Sequence, residues 1–265
     1  MIDPWLSIGI VWLGSALAMA ALWAFSMRVR NVGYVDVGWA GLMAIAALFI
    51  GVVGEGSPMS RGLVAMFGSV WGARLCLHLL HRVLNEEEDG RYRALREAWG
   101  GSPAKFFGFF QMQAVVVALF ALPFVAAADS GAYHLSGWTV LAIGVWLGAM
   151  VGESIADRQL AKFRADEANA GKTCRVGLWG WSRHPNYFFE WLHWFAYVCL
   201  AVGGSLFWLS LVGPVLMFAF LYRVSGIPWT EAQAERSRGE DYRRYQREVS
   251  AFFPWPPRKS SPSPE

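Results

Sequence analysis

The stretch that decides the fold runs from residue 185 to residue 203 and reads PNYFFEWLHWFAYVCLAVG. It is mostly apolar and close to the length of about 17–25 residues with which a helix crosses a bilayer. Pro185 can begin a helix, because its missing N–H would be unpaired in the first turn. Charge in lipid costs about 2.5–3.5 kcal/mol, so polar groups in such a helix indicate the wall of an interior pocket. Four polar residues recur at i, i+4, i+7 and i+11 and so lie on one stripe of a helix: Asn186, Glu190, His193 and Tyr197. Arg183 and His184 directly precede this helix.

The composition is typical of a membrane protein. Of the 265 residues, 55% are hydrophobic and 16% are charged, and the mean hydropathy is +0.32. A soluble domain carries about 25% charged residues. The net charge of +3 comes from basic residues beside apolar segments, which argues against a nucleic-acid partner. The three cysteines have no paired spacing, so neither a disulfide framework nor a zinc motif is expected.

Seven apolar segments of bilayer length predict an all-α, polytopic membrane protein with seven transmembrane helices. Most of the Lys and Arg residues follow the first, third, fifth and seventh segments. The positive-inside rule then places the N-terminus outside and the C-terminus in the cytoplasm. Residues 1–253 are expected to form the membrane domain, and the Pro/Ser-rich residues 254–265 a disordered tail. The predicted segments are 5–27, 33–54, 61–84, 107–128, 135–160, 185–203 and 206–223.

Ionisable residues lie at membrane depth in the N-terminal half. Tyr34 and Asp36 open the second segment, where Asp36 is expected either to cap the helix or to line the mouth of a cavity. His78 lies in the third segment, in a helical series with Arg74 and His81. Snorkelling explains His81 without a function, whereas Arg74 is deeper and needs a buried partner or an anion. Two histidines at i, i+3 without a third ligand do not predict a metal site.

A further polar group lies at the end of the fifth segment. Glu153 and Asp157 are one helical turn apart, and the cations that follow include Lys162, Arg164, Lys172 and Arg175. Carboxylates followed by cations suit a nucleotide, because acids bind ribose or an amide and cations bind phosphates. The alternative is a solvated helix end with local ion pairs. The sequence has no glycine-rich phosphate loop, so a nucleotide would bind in a non-Rossmann way.

Three motifs make the chain resemble a known family. They are DVGW at residues 36–39, LWGWSRHPNYFFE at residues 178–190, and YRRYQ with SAFFPW at residues 242–246 and 250–255. Together they resemble the bacterial DUF1295 branch of the steroid 5-alpha-reductase family over nearly the whole chain. The RHPNY block is shared more widely, because integral-membrane sterol reductases and isoprenylcysteine carboxyl methyltransferases carry close relatives of it.

The resemblance implies a seven-helix bundle that holds NADPH from the cytoplasmic side, beside a lipophilic enone. The residues that hold the nicotinamide amide in that family match Asn186 and Glu190, and those beside the adenosine match Asp157 and Arg164. Glu153 replaces a family Asn, and the Gln-Glu pair and Tyr that polarise the 3-oxo group in eukaryotic members have no counterpart. The expected cofactor-binding residues are Glu153, Asp157, Arg164, Lys172, Arg183, His184, Asn186, Tyr187, Glu190 and Arg223.

The resemblance therefore implies an NADPH-dependent oxidoreductase that reduces the C=C bond of a hydrophobic enone, such as a 3-oxo-Δ4-steroid or another lipid. The expected location is a bacterial inner membrane, with the cofactor site facing the cytoplasm. Asp36, Tyr34 and His78 are the candidate catalytic acids, because a titratable group facing the cavity can stabilise the developing enolate. A carboxyl group among apolar neighbours can stay protonated and donate.

Two alternatives stay open at this point. The RHPNY block also suits an S-adenosylmethionine-dependent methyltransferase of a lipid or isoprenylcysteine-type acceptor. A lipid-binding or transport protein would bind a ligand without turnover. The expected partners are a lipophilic small molecule and the lipid bilayer, and the cation cluster favours NADPH over NADH.

Overall fold

The computed structural model describes residues 1–131, 135–224 and 226–258, and its regular structure over these residues is helical. The all-α prediction is confirmed. Two 3₁₀ turns, Glu167–Asn169 and Gly177–Gly180, and a π-helical stretch, Phe220–Val224, accompany the α-helices. The α-helices are α1 Pro4–Val29, α2 Tyr34–Val53, α3 Pro58–Asn85, α4 Gly90–Ala98, α5 Pro103–Ala128, α6 Gly137–Ala165, α7 Pro185–Leu192, α8 Trp194–Ala201, α9 Phe207–Ser210, α10 Val212–Ala219, α11 Ile227–Arg238 and α12 Glu240–Glu248.

Six helical stretches among the described residues are long and apolar enough to cross a membrane: α1, α2, α3, α5, α6 and Phe207–Arg238. These helices fit a lipid bilayer, as the composition predicted. Proline opens three of them, since Pro4, Pro58 and Pro103 stand at the N-terminus of α1, α3 and α5. N–H groups in the first turn of a helix have no acceptor within the helix. Proline, which lacks an N–H, therefore loses no hydrogen bond there.

The predicted sixth span, 185–203, is not one continuous helix. It forms α7 and α8, which are separated by His193. His193 keeps helical angles (φ −57°, ψ −30°), and its N–H donates to the backbone oxygen of Phe189 at 3.1 Å. Its ring Nδ1 lies 3.2 Å from the backbone oxygen of Glu190. The side chain thus competes for a carbonyl that a regular helix would offer to the backbone. The count of seven transmembrane helices stays a prediction.

The chain divides into two compact units. Unit 1 comprises Met1–Ala142 and Tyr197–Gly213, and unit 2 comprises Ile143–Ala196 and Pro214–Glu265. Unit 1 contains the residues predicted as catalytic acids. Unit 2 contains all the residues predicted to bind the cofactor.

Unit 1 is built on close helix pairs, α2 with α3 and α1 with α5. Glycines allow the first pair to approach. A Cβ on Gly68 would lie 2.3 Å from the Cβ of Ala47, and a Cβ on Gly72 would lie 2.8 Å from the backbone N of Ala44. Membrane helices commonly associate through small residues in this way, because contact between backbones maximises van der Waals packing.

Unit 2 gathers aromatic side chains from α7, α10 and the C-terminal segment. The ring of Phe253 lies 6.2 Å from that of Phe188 and 5.7 Å from that of Trp191. The ring of Phe252 lies 5.4 Å from that of Phe218. Such edge-to-face pairs contribute about 0.5–1.5 kcal/mol each beyond area burial, so the cluster holds the end of the chain against the start of α7.

The last described residues of unit 2 stay packed against the rest of this unit beyond residue 254, where the tail was predicted to begin. The N–H of Trp255 donates to the backbone oxygen of Trp181 at 2.9 Å, and the N–H of Arg258 donates to that of Glu248 at 2.8 Å. The predicted tail, 254–265, is therefore ordered as far as Arg258, and residues 259–265 lie outside the described residues.

Candidate functional site

The polar residues of α6 and α7 meet in unit 2. The side-chain amide of Asn186 donates to Oδ1 of Asp157 at 3.4 Å, a long hydrogen bond. Glu153, one turn before Asp157, is 6% exposed, and Glu190, one turn after Asn186, is 8% exposed. Side chains four residues apart share a helix face. Each helix thus carries a pair of polar groups, and the pairs come from two regions of the sequence that were predicted to bind one cofactor.

A single glycine allows this helix pair to form. A Cβ on Gly152 would lie 2.3 Å from Cε1 of Phe189, and also within 2.5 Å of two further atoms of the same ring. Only a glycine therefore fits beside this phenyl ring. Gly152 precedes Glu153 in α6, and Phe189 precedes Glu190 in α7, so the close approach lies next to both buried carboxylates.

Arg183 is held from several sides. Its Nε donates to Oε1 of Glu231 at 2.6 Å, and its Nη1 donates to the backbone oxygens of Gln246 and Val249 at 2.9 and 2.6 Å. Charge-assisted bonds of this kind are stronger than neutral ones. Arg183 therefore ties the entry of α7 to α11 and α12, and its predicted contact with the cofactor stays a prediction.

His184 shares the same carboxylate. Its Nε2 lies 3.2 Å from Oε1 of Glu231, and its ring stacks on Tyr187 with centroids 5.3 Å apart. The hydroxyl of Tyr187 lies 3.3 Å from that of Thr230, the neighbour of Glu231. Thr230 and Glu231 of α11 thus contact residues on both sides of Pro185. Burial lowers the pKa of the His184 imidazole, although the Glu231 carboxylate opposes the shift.

A cavity of about 340 Å³ lies at the C-terminal end of α6. Two of the predicted phosphate-binding cations, Arg164 and Lys172, line it together with Arg238 of α11, and the lining also includes Asp166 and Glu167. The volume lies within the range of about 300–1,000 Å³ that is usual for small-molecule sites. Three cations, Arg164, Lys172 and Arg238, therefore line one cavity.

The other predicted cations lie elsewhere in unit 2. Arg175 pairs with Asp241 and Glu248 of α12. Lys162 is exposed and does not line the cavity. Arg223 is exposed in the π-helical stretch. The structure therefore brings two of the four clustered cations to one cavity, and α12 takes up a third.

Asp36 lies in the first turn of α2, where the N-cap is Gly33 and no side chain caps the helix. Its Oδ1 accepts from the Tyr92 hydroxyl at 2.7 Å, and its Oδ2 accepts from Arg91 at 3.3 Å. Both partners belong to α4. These contacts indicate that Asp36 anchors α4, and its predicted role as a catalytic acid stays a prediction. Burial, together with this carboxylate, raises the pKa of Tyr92.

The other two candidate acids lie elsewhere in unit 1. Tyr34 is half-buried at the start of α2, with its ring 5.0 Å from that of Phe25. His78 and His81 are exposed on α3. Among the residues that the structure describes, no group of three His, Cys, Asp or Glu could hold a metal ion.

Similarity to known proteins identifies the family of this chain. The sequence matches the family described as "Protein of unknown function (DUF1295)" over residues 22–249. The chain belongs to the DUF1295 family. An uncharacterised protein of Schizosaccharomyces pombe is 25% identical over 266 residues, which cover 88% of this chain and 75% of the relative. No solved structure matches the chain.

Three residues of this DUF1295 protein that contact the site were not predicted from its sequence: Glu231, Gln246 and Arg238. Glu231 lies 48 positions from Arg183, and no local spacing connects two such residues. A carboxylate on a charged helix is, from the sequence alone, as well explained by exposure to solvent. Only the fold shows that Glu231 holds the entry of α7 and that Arg238 joins the cation-lined cavity.

Proposed function

We propose that this protein is a membrane-embedded, NADPH-dependent reductase of the C=C bond of a hydrophobic enone. The observation that carries the proposal is the polar face of α6 and α7, where Asn186 meets Asp157 and Glu153 and Glu190 are buried one turn away. Ionisable groups buried in apolar helices are costly and mark ligand sites in membrane proteins. The resemblance to membrane steroid reductases supports the same function.

The residues of unit 2 fit the two ends of a dinucleotide. The Asn186 side chain both donates and accepts, so it can bind the carboxamide of a nicotinamide. Arg164 and Lys172 line the cavity and can bind a phosphate through charge-assisted bonds. Arg164 follows Asp157 by seven residues, about 10 Å along the helix axis. An extended dinucleotide covers that distance.

Reduction of the enone requires a hydride donor and a group that stabilises the negative charge on the carbonyl oxygen. Bound NADPH would supply the hydride to the β-carbon of the enone. The protein has to stabilise the negative charge that develops on the carbonyl oxygen, which a positioned hydrogen-bond donor does. Asp36, Tyr34 and His78 stay the predicted donors, because each has a titratable group. Asp36 also anchors α4 through its contacts with Arg91 and Tyr92.

We propose that α7 and α8 together form a seventh span, because residues 185–201 as one helix would extend about 25 Å. The hydrocarbon core is about 30 Å thick. Seven spans leave the N-terminus outside and put the basic loops, the C-terminus and the cofactor site on the cytoplasmic side of a bacterial inner membrane. A C-terminal fluorescent-protein fusion is expected to fluoresce, and an active C-terminal alkaline phosphatase fusion would refute this topology.

Turnover by the purified protein tests the proposed reaction. The oxidation of NADPH is followed by its loss of absorbance with a panel of lipophilic enones that includes 3-oxo-Δ4-steroids. The substitutions Asn186→Ala and Glu190→Ala are each expected to abolish NADPH oxidation while the protein stays folded. Asn85→Ala on α3 is the matched control and is expected to retain activity. Near wild-type turnover by both site variants would refute the site. Methyl transfer from S-adenosylmethionine in place of NADPH oxidation would favour the methyltransferase alternative.

A further inference from the structure

The C-terminal segment, defined as residues 250–258, runs along the entry of α7. The N–H of Arg183 donates to the backbone oxygen of Ser250 at 2.8 Å, and the N–H of Trp255 donates to that of Trp181 at 2.9 Å. These bonds fasten the segment to residues 181–183, immediately before α7 begins at Pro185. The segment therefore lies where an apolar helix of this membrane protein starts.

The contacts of Phe253 show how the segment lies against α7. Its ring contacts Phe188 and Trp191, which belong to the first two turns of α7. The other side of Phe253 is open, since the residue is 50% exposed. Trp181 is 49% exposed and Trp255 is 68% exposed. Tryptophan is enriched where membrane proteins cross the membrane–water boundary, and exposed aromatic residues grouped in this way indicate an interaction surface.

A polar cavity of about 470 Å³ adjoins these rings. Arg247, Arg258 and Trp255 line it, together with Glu248. The Glu248 carboxylate is engaged by Arg175. Arg247 pairs with Glu240 at 2.6 Å, but both side chains are more than 60% exposed, and such surface pairs are weak and exchange readily. The cavity thus has the guanidinium groups of Arg247 and Arg258 in its lining, beside the exposed ring of Trp255.

We propose that the C-terminal segment anchors the protein at the membrane–water interface by binding the headgroup of an anionic phospholipid. Trp181, Phe253 and Trp255 would lie at headgroup level, and Arg247 and Arg258 would bind the lipid phosphate. Guanidinium groups bind phosphate oxygens through paired, charge-assisted bonds. Basic residues near a membrane attract anionic lipids, while neighbouring aromatic rings set the depth. This anchoring does not depend on the proposed reduction.

The test measures lipid binding by the full-length protein in a neutral detergent. Dissociation constants for dioleoylphosphatidylglycerol and dioleoylphosphatidylcholine are determined by native mass spectrometry. The wild type is expected to bind the anionic lipid more tightly. Arg247→Gln combined with Arg258→Gln is expected to weaken that binding roughly 30-fold, at about 5-fold per cation. Binding of phosphatidylcholine should stay unchanged.

The matched control is Arg243→Gln combined with Arg244→Gln, which removes the same charge from exposed positions of α12 that do not line the cavity. The control is expected to bind phosphatidylglycerol as the wild type does. Equal loss in both double variants, or no preference of the wild type for the anionic lipid, would overturn the proposal. Displacement of the lipid by an equal concentration of inorganic phosphate would also overturn it, because the cavity would then be a site for soluble anions.

Discussion

At the scale of single residues, Glu231 holds the entry of α7 together. Its Oε1 accepts from Arg183 and faces His184, and its Oε2 accepts from the side-chain amide of Gln246 at 3.1 Å. Loss of one partner leaves a mostly buried charge unpaired, which costs about 1–3 kcal/mol or more. Glu231 therefore acts on the α6–α7 site by positioning the residues before Asn186.

We expect His184 to make stability depend on pH below about 6.5. Burial lowers the pKa of the folded imidazole below its ordinary 6.5, so between the two pKa values the unfolded chain binds a proton that the folded chain does not. The contribution of His184 is then full above pH 6.5 and is lost as the pH falls through the folded pKa. Melting temperatures of wild type and His184→Gln from about pH 7.5 to 5 check this. The advantage of the wild type should shrink towards acid, and a constant difference would contradict it.

At the scale of secondary structure, the approach of α6 to α7 depends on Gly152. We expect Gly152→Ala to push Phe189 away and to separate Asp157 from Asn186, at a cost of about 1–3 kcal/mol for overpacking. Cofactor affinity should fall with it. Gly148→Ala is the control one turn earlier, because a Cβ there meets nothing within 4 Å. Recovery of affinity in Gly152→Ala combined with Phe189→Leu is expected. An unchanged dissociation constant in Gly152→Ala would show that the pair does not form the site.

The anchoring of α4 gives a second prediction at this scale. Asp36→Asn removes the ion pair with Arg91 and weakens the contact with Tyr92, so backbone amides of residues 90–98 should exchange hydrogen faster. Glu87→Gln, which breaks an exposed pair with Arg93, is the control and should leave exchange unchanged. If exchange stays slow in Asp36→Asn while kcat falls about 10²- to 10³-fold, Asp36 is the catalytic acid after all.

The helix starts, the interruption at His193 and the partner of Asp36 differ in how far they can be predicted from neighbouring residues in the sequence. The prolines at the starts of α1, α3 and α5 and the long apolar runs follow from local rules, and the predicted segments 5–27, 61–84 and 107–128 lie within these helices. The interruption at His193 depends on one ring reaching the carbonyl of Glu190, which hydrophobicity does not register. The partner of Asp36 lies 56 positions away in Tyr92, so its engagement with α4 required the fold.

At the scale of the whole molecule, the bilayer explains most of the composition, and the DUF1295 match covers both compact units. The predicted catalytic acids and the predicted cofactor residues lie in different segments of the sequence, and these segments fall in unit 1 and unit 2, respectively. Within unit 2 the sequence predicted Asp157, Asn186, Arg164 and Lys172 together. Arg238 escaped this prediction, because a cation in a charged helix has no pattern that distinguishes a ligand from a solvated residue.

Cofactor titration of the purified protein tests the central claim most directly. We predict that NADPH binds more tightly than NADH by about 10- to 100-fold, because cations at the cavity gain charge-assisted bonds to the 2′-phosphate worth about 1.5–3 kcal/mol. Arg164→Gln combined with Lys172→Gln should remove this preference. Lys162→Gln combined with Arg236→Gln, at exposed positions that do not line the cavity, should keep it. Equal affinity for NADPH and NADH, or tighter binding of S-adenosylmethionine than of either, would contradict the account.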